Sequence, residues 1–448
     1  MNKIERLLHT LAPKGVEFKT LEEVFEIRNG YTPSKNNPEF WKNGTIPWFR
    51  MEDLRENGRV LKDSIQHITP KALKGKKLFP KNSIIISTTA TIGEHAFLIV
   101  DSLANQRFTF LSKKANCDIA LDMKFFFYQC FLLGEWCKNN TNVSGFASVD
   151  MTAFKKYKFP IPPLEIQQEI VTILDAFTEL NTELNTELNA RKKQYEYYQN
   201  MLLDFNDINQ SRKDAKERLA QKPYPKRLKT LLQTLVPKGV GFRKLGDIGE
   251  YIRGVTYKKN QEINNLECGI KVLRANNITL SNHLNFEDIK VINKNVKIRK
   301  EQYLKKNDIL ICAGSGSSEH IGKVAFIDTD FDYVFGGFMG VIRIREVNSR
   351  FVYHIFTSNI FKQYLEKSLN TTTINNLNAN ILQNFLIPIP PLEIQQEIVT
   401  ILDQFSALTT DLQAGIPAEI KARKKQYEYY REKLLTFKPL TPNKEVKA

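Results

Sequence analysis

"PIPPLEIQQEIVTILD" runs from Pro160 to Asp175 and returns without one change from Pro388 to Asp403, an offset of 228 residues. The blocks around it repeat as well. "LLHTLAPKGVEFKTL" begins at Leu7 and is answered by "LLQTLVPKGVGFRKL" from Leu231, an offset of 224. "ARKKQYEYY" begins at Ala190 and returns intact at Ala422, an offset of 232. So long a period excludes a solenoid or propeller, whose units run to roughly 20–50 residues. The chain is a tandem duplication of a unit of about half its 448 residues.

Between the shared blocks the halves diverge. "IRNGYTPSK" faces "IRGVTYKK", "PWFRMEDL" faces "KVLRANNI", and "STTATIGEHAFLIVD" faces "AGSGSSEHIGKVAFID". Matching scaffolds with different faces suggest one task performed on two targets. The variable blocks mix α and β. "NSIIIST", "AFLIV", "DILICAG", "KVAFID" and "GVIRIRE" are short β-branched runs bounded by turn residues, which predicts strands. "LDMKFFFYQCFLLGEWCKN" and "RFVYHIFTSNIFKQYLEKSL" have helical spacing with an apolar face.

The shared blocks predict long helices. Pro162 and Pro163 mark the start, and Glu165 and Glu169 sit where the helix dipole favours acids. Ile166, Ile170, Ile173, Leu174, Phe177, Leu180, Leu184 and Leu188 then recur at steps of three or four, and Tyr195, Tyr198, Leu202 and Phe205 resume the stripe. From Pro163 to Phe205 such a helix spans ~64 Å. Its narrow stripe needs a partner. The candidate is the copy at 391–437, packed as an antiparallel coiled coil that holds the globular blocks apart. The competing reading has each stripe packing on its own domain.

The first helix contains "TELNTELNTELN" (178–189), which keeps Leu on the stripe and places Glu187 four residues before Arg191. The second copy, "SALTTDLQAGIPAEIK" (406–421), is four residues longer and holds Gly415 and Pro417. A break with the extra residues looped out is expected there. The expected organisation is a first globular domain at 1–159, a long helix at 160–205 and a basic linker at 206–229. Beyond it come a second globular domain at 230–387, a second helix at 388–437 broken near 415–417, and a flexible tail at 438–448. The fold class is α+β: two mixed α/β domains separated by an antiparallel helix pair, with an internal pseudo-two-fold repeat.

The net charge of +16 and pI of about 9.4 favour a polyanionic partner. No apolar run reaches the ~18 residues of a membrane span, and "MNKIERLLHTLAPKG" lacks the apolar core of a secretory signal. No membrane partner is expected, and nucleic acid is the better fit. Cys117, Cys130, Cys137, Cys268 and Cys312 are odd in number, show no C-x-x-C, and read as reduced thiols in a cytoplasmic protein. The six histidines form no metal-ligand spacing, so no metal site is expected.

Enzyme motifs fail one by one. "GSGSSEHIGKV" (314–324) misses the phosphate-loop spacing, and Val324 stands where a metal-binding hydroxyl belongs. "FGGFMG" (335–340) sits in a strand-like stretch without a downstream acidic ribose ligand. No amino-methyltransferase, zinc-hydrolase or nuclease signature occurs. A duplicated chain without a duplicated catalytic set argues for a binding module.

"FPIPPLEIQQEIVTILDAF" and "IPIPPLEIQQEIVTILDQF" resemble the proline-rich helix hallmark of specificity (S) subunits of Type I restriction–modification enzymes. "IRNGYTPSK", "IISTTATIGEHAFLI", "ANQRF" and "LKKNDILI" agree, and the resemblance covers essentially the whole chain in the family's order. It implies a non-catalytic subunit whose two target-recognition domains each read half of a bipartite, asymmetric site on double-stranded DNA. The helix pair would fix the gap between half-sites. Two modification (M) subunits would dock on the repeated blocks, and restriction (R) subunits would join them. Cofactors are expected in those partners: S-adenosylmethionine for adenine methylation, ATP and Mg for restriction, none in this chain. The runner-up is a coiled-coil scaffold that binds nucleic acid without reading it.

Arg and Asn make bidentate contacts to base edges, and Lys, Ser and Thr favour phosphates. On residue type and loop position the candidates in the first domain are Thr32, Ser34, Lys35, Arg50, Thr88, Thr89, Thr91, Asn105, Gln106, Arg107 and Ser144. In the second they are Arg253, Tyr257, Lys258, Arg274, Asn276, Asn277, Ser315, Ser317, Thr372 and Asn375. For partner docking the candidates are Pro163, Leu164, Gln167 and Gln168, with their copies Pro391, Leu392, Gln395 and Gln396.

Overall fold

In each repeat the first shared block lies beside the second. Strand Glu17–Thr20 pairs antiparallel with Lys158–Ile161, and Gly241–Lys244 pairs in the same register with Leu386–Ile389. The strand before each domain thus ties directly to the strand before each long helix. The structure, a computed structural model, describes residues 3–142, 147–205, 223–263, 268–314, 320–369, 377–410 and 415–440. The helices that carry the architecture are α1 (Lys3–Leu11), α2 (Met123–Asn139), α3 (Leu164–Leu203), α4 (Lys226–Leu235), α5 (Ser349–Phe356), α6 (Asn359–Leu369), α7 (Leu392–Thr410) and α8 (Ile416–Leu435).

The described residues form two compact units, and these are not the two contiguous halves. One runs up to Glu183 and resumes at Ala422; the other is Leu184 to Lys421. The first unit is built on a five-stranded sheet in the order Phe25–Asn29, Phe108–Lys113, Ile84–Ser87, His95–Leu98 and Val60–Leu61. The second repeats the first four positions with Gly249–Arg253, Met339–Ile344, Ile309–Cys312 and Val324–Phe326. All five runs expected to be strands are strands. The predicted 350–369 helix is split into α5 and α6. Ser358 explains the split: its hydroxyl donates to the Ile355 carbonyl at 2.7 Å and accepts from Ile360 N at 3.3 Å, closing one helix and opening the next.

Helix α3 is continuous for 40 residues, as its stripe predicts, and the TELN repeat lies inside it. Glu187 and Arg191 pair at 3.5 Å. Its first half buries Ile166, Ile170 and Leu174 against Phe125, Phe126 and Phe159 of its own domain. Its last turns, Met201 to Leu203, and the following Phe205 join the core of the other unit, with Leu228, Phe361 and Leu402. Reciprocally, Leu435 of α8 is buried in the core of the first unit. The stripe thus packs on its own domain over its first half, and it meets the copy helix from both halves, through Phe177 and through Tyr198.

The same helix-to-helix contact is made once in each unit. Phe177 stacks on Tyr430 with ring centroids 5.6 Å apart and planes at 26°; Phe405 stacks on Tyr198 at 5.1 Å and 23°. Phe177 and Phe405 are repeat copies, as are Tyr198 and Tyr430. Rising numbers on α3 meet falling numbers on α7 and α8, the mark of antiparallel packing, made once within each unit. In the second copy α7 is described to Thr410 and α8 begins at Ile416, with Pro417 in its first turn, where its missing N–H costs nothing. The loop-out itself, at 411–414, lies outside the described residues, as do 206–222 of the linker. The linker's other end is corrected: Lys226–Lys229 already belong to α4, because Leu228 and Leu232 bury one face of that helix.

A buried histidine gives this fold a pH dependence. The Nδ1 of His95 lies 3.1 Å from the Gly93 carbonyl, and its Nε2 has no partner among the described residues. Burial, aided by the nearby Arg59 charge, holds its pKa at about 3. The unfolded chain takes up this proton near 6.5, whereas the folded chain takes it up only near 3. The contribution is therefore complete above pH ~6.5 and lost as pH falls. At pH 5 the loss from this residue is about 2 kcal/mol. Urea unfolding at pH 7.5 and pH 5 checks it: His95→Gln should flatten the pH slope, and an equal slope in the variant refutes the assignment.

Candidate nucleic-acid interface

The shared helices meet the variable domains through a lock that is built twice. Asp122 and Asn348 cap α2 and α5 by accepting from Lys124 N and Phe125 N, and from Arg350 N and Phe351 N. The backbone N–H of each cap donates to a helix glutamine: Asp122 to Gln167 Oε1 at 2.8 Å, Asn348 to Gln395 Oε1 at 2.9 Å. Gln167 Nε2 donates to the carbonyls of Ala120 and Pro162, and Gln395 Nε2 to that of Pro390. Two turns along, Asp175 accepts from Lys124 and Tyr128, and Asp403 accepts from Arg350 and meets His354 Nε2. The glutamine and aspartate are identical in both copies while the residues they hold differ. Burial lowers the pKa of His354 while the Asp403 carboxylate beside it pulls the other way, and its Nε2 lies 2.8 Å from Asp403 Oδ1.

This lock corrects the docking set. Gln167 and Gln395, fully buried and bonded inward, face their own domains. Pro163 and Pro391 are half-buried and cap the helix starts with their carbonyls. Leu164 and Leu392 are 38% and 58% exposed, and Gln168 and Gln396 are exposed beside them. Large apolar side chains held in water at the same place in both copies are what a repeated docking surface requires. A second exposed pair is Tyr197 and Tyr429, which sequence reading missed although both lie in the shared "ARKKQYEYY".

The DNA candidates sort by where the sheet ends. In the first domain Asn105 N donates to the Phe49 carbonyl, next to Arg50, and Thr88 N donates to the Arg107 carbonyl. Arg50, Thr89, Asn105, Gln106 and Arg107 thus gather where a smaller sheet that pairs Phe49 with Ala104 meets the five-stranded sheet at Ser87 and Phe108. Gln106 and Arg107 are exposed there, and Asn105 Oδ1 accepts from Arg107 N at 3.0 Å, fixing the turn. Thr32 is half-buried nearby, one residue after Tyr31, whose N–H donates to the Ala104 carbonyl. Ser34, Lys35 and Thr91 are exposed on other loops. Thr88 is corrected: it is buried and its hydroxyl is bonded to that of Thr109 at 3.0 Å.

In the second domain Arg253, Tyr257, Arg274 and Asn276 line one open cleft of about 770 Å³ with Lys259, Lys290 and Phe338. Arg274 and Asn276 are held by one carboxylate, Asp288, at 2.8 and 2.7 Å. Lys258 is exposed next to Tyr257. Asn277 is corrected: it is buried, with Oδ1 accepting from Arg274 N and Nδ2 donating to the carbonyls of Asn285 and Asp288. Ser144, Ser315, Ser317, Thr372 and Asn375 lie outside the described residues.

Strand register also corrects one facing pair. Asn29 stands opposite Thr109, and Arg253 opposite Gly340. Gly30 N donates to the Phe108 carbonyl and Gly254 N to that of Met339. The ladders therefore match Gly30 to Gly254 and Asn29 to Arg253. Facing "IR" with "IR" was one residue out of step.

Among the described residues no three His, Cys, Asp or Glu side chains could hold a metal ion, and no helix is long and apolar enough to cross a membrane.

Comparison with known proteins agrees with this construction. Residues 13–193 and 237–422 each match the family described as Type I restriction modification DNA specificity domain. The chain is 54% identical over 218 residues to the Type I restriction enzyme EcoprrI specificity subunit of Escherichia coli, covering 46% of this chain and 54% of that one. It is 34% identical over 203 residues to the EcoR124I/EcoR124II specificity subunit of the same organism, 42% of this chain and 48% of that one. It thus spans about half the length of these two relatives. A match of 24% identity to the MjaIX specificity subunit of Methanocaldococcus jannaschii covers 86% of this chain and 85% of that one. The fold is that of a crystal structure of a Type-I restriction-modification S subunit from M. genitalium, with TM-score 0.51, 14% identity, 94% of this chain and 96% of that one. It is equally that of a chain in a structure titled for complex assembly and conformational transition of the type I R-M system, with TM-score 0.57, 17% identity, 94% and 98%.

Proposed function

The chain belongs to the Type I restriction modification DNA specificity family, and on that premise we propose that it reads a bipartite, asymmetric site on double-stranded DNA, one half with each domain. A single observation carries this reading. The residues that the two repeats share lie in the paired strands and the long helices, and the sheet ends of the two domains carry different side chains, among them Gln106 and Arg107 in one and Arg253, Arg274 and Asn276 in the other. A scaffold binding nucleic acid without sequence preference would have no use for two different faces on one frame.

The chain is a non-catalytic specificity subunit of the cytoplasm. Adenine methylation belongs to two M subunits docked on Leu164 with Gln168 and on Leu392 with Gln396, and cleavage to R subunits that join them. S-adenosylmethionine, ATP and Mg act in those partners. The antiparallel helix pair sets the gap between half-sites. The net charge of +16 supplies phosphate attraction, so affinity should fall steeply with salt.

The test is a selection from a randomised duplex library with the chain reconstituted with its M subunits. Two short specified blocks separated by a fixed unspecified gap are expected, with specific binding on the order of 10³-fold or more above random duplex. A selection that returns no bipartite motif overturns the reading. On the docking side, Leu164→Glu with Leu392→Glu should abolish co-purification of the M subunits without changing thermal unfolding, because both side chains are exposed. Intact assembly in that variant would move the docking surface elsewhere.

A further inference from the structure

The two domains hold one loop in the same way and arm it with opposite chemistry. The loop enters the second strand of each sheet: Asn105–Arg107 precedes Phe108–Lys113 in the first domain and Gly336–Phe338 precedes Met339–Ile344 in the second. Asn105 N donates to Phe49 O at 3.0 Å, and Gly336 N to Leu273 O at 2.9 Å. Phe108 N donates to Asn105 O at 3.1 Å, and Met339 N to Gly336 O at 2.7 Å. Thr88 N donates to Arg107 O at 3.1 Å, and Ala313 N to Phe338 O at 2.9 Å. These bonds make Arg107 and Phe338 structural equivalents, a match that sequence comparison of "ANQRF" with "FGGFM" does not reveal.

A close backbone crossing pins the loop in both domains. A Cβ on Gly30 would lie 2.2 Å from the Asn105 carbonyl oxygen, and one on Gly254 would lie 2.1 Å from that of Gly336. Only glycine fits at either crossing. The loop backbone is thus fixed by the frame, while its outward side chains are free to differ. Arg107 is exposed, and Phe338 is 75% exposed. A phenylalanine so placed contributes little to folding and carries no hydrogen bond. It stands on the rim of a cleft whose other walls include Arg253, Arg274 and Lys290, the last two paired with Asp288 and Glu262 and able to exchange those carboxylates for phosphates. An apolar side chain at the rim of a basic cleft suits the methyl group of thymine in the major groove, whereas an arginine suits the O6 and N7 of guanine.

We propose that this pinned loop is the specificity-determining element of each domain, with Phe338 packing on a thymine methyl in one half-site and Arg107 hydrogen-bonding a guanine in the other. The assignment rests on the reading of the chain as a two-domain DNA reader. The test uses the full chain reconstituted with its M subunits and the library selection. Arg107→Ala should relax one guanine position in one half-site and leave the other half-site as it was. Phe338→Ala should relax one thymine position in the other half-site, and Phe338→Leu should retain it. Replacing that thymine by deoxyuridine, which removes only the methyl, should weaken wild-type binding on the order of tenfold and leave Phe338→Ala binding unchanged. Both side chains are exposed, so thermal unfolding of the variants should match the wild type. A wild-type motif that persists unchanged in both variants overturns this inference alone, as does an equal response of wild type and Phe338→Ala to deoxyuridine. A wild-type chain that selects no motif removes the two-domain reading and this inference with it.

Discussion

Deleting Thr182–Asn185 is expected to leave both half-sites intact and to change only the number of base pairs between them, by about one or two. Helix α3 runs unbroken through the repeat, so four residues removed shorten it by ~6 Å and turn its C-terminal part by ~40° beyond a whole turn. DNA rises ~3.4 Å per base pair. The deletion should not melt the helix. The next tetrapeptide, Thr186–Asn189, moves into the vacated place and puts Leu188 where Leu184 had been. Leu184 is 9% exposed and is the best-buried leucine of the three repeats, so the stripe keeps its side chain. The division between the compact units falls at Glu183, inside this segment, while the sheet ends that carry the candidate readers are untouched. Sequencing of methylated adenines laid down by the wild-type and deleted complexes measures both quantities at once. An unchanged gap would make the repeat filler, and altered half-sites would couple the helix to reading.

Much of this architecture was legible in the sequence because identity between repeats is independent of any propensity rule. The long stripe and every β-branched run were signalled by spacing and turn residues. Each failure had a physical cause. Gln167 was read as a surface residue from its type, yet it stands three residues before Ile170 and seven before Leu174, on the buried stripe. Its spacing carried the signal that its polarity masked. Asn277 likewise occupies the third position after Arg274, the place of a capping side chain, as Asp53 does after Arg50. Thr88 was not separable from Thr89 by composition, since only strand alternation decides which of them faces inward. Phe338 was passed over because "GGFMG" was weighed only as a nucleotide loop. Its equivalence to Arg107 is a property of hydrogen-bond register, which is not written in either segment.

The buried glutamines should therefore behave in the opposite way to their exposed neighbours. Gln167→Ala removes the acceptor of Asp122 N and the donor to the carbonyls of Ala120 and Pro162, at a site without exposure to water. Each stranded backbone group costs on the order of 1 kcal/mol, so a loss of about 3 kcal/mol is expected. Gln395→Ala strands Asn348 N and the Pro390 carbonyl, and a loss of about 2 kcal/mol is expected. Gln168→Ala, on the exposed side of the same turn, should stay within about 0.5 kcal/mol of the wild type. Chemical unfolding of the three variants ranks them directly. If Gln167→Ala were as stable as Gln168→Ala, the inward hydrogen bonds would carry no energy. The invariance of that glutamine between repeats would then have to be sought in a partner after all. If the order holds, the identity of the shared block has two separate causes a single residue apart. Gln167 and Gln395 fasten a common helix to two unlike domains, and Gln168 and Gln396 stand exposed beside them, Gln396 also accepting from Asn348 Nδ2 at 3.1 Å.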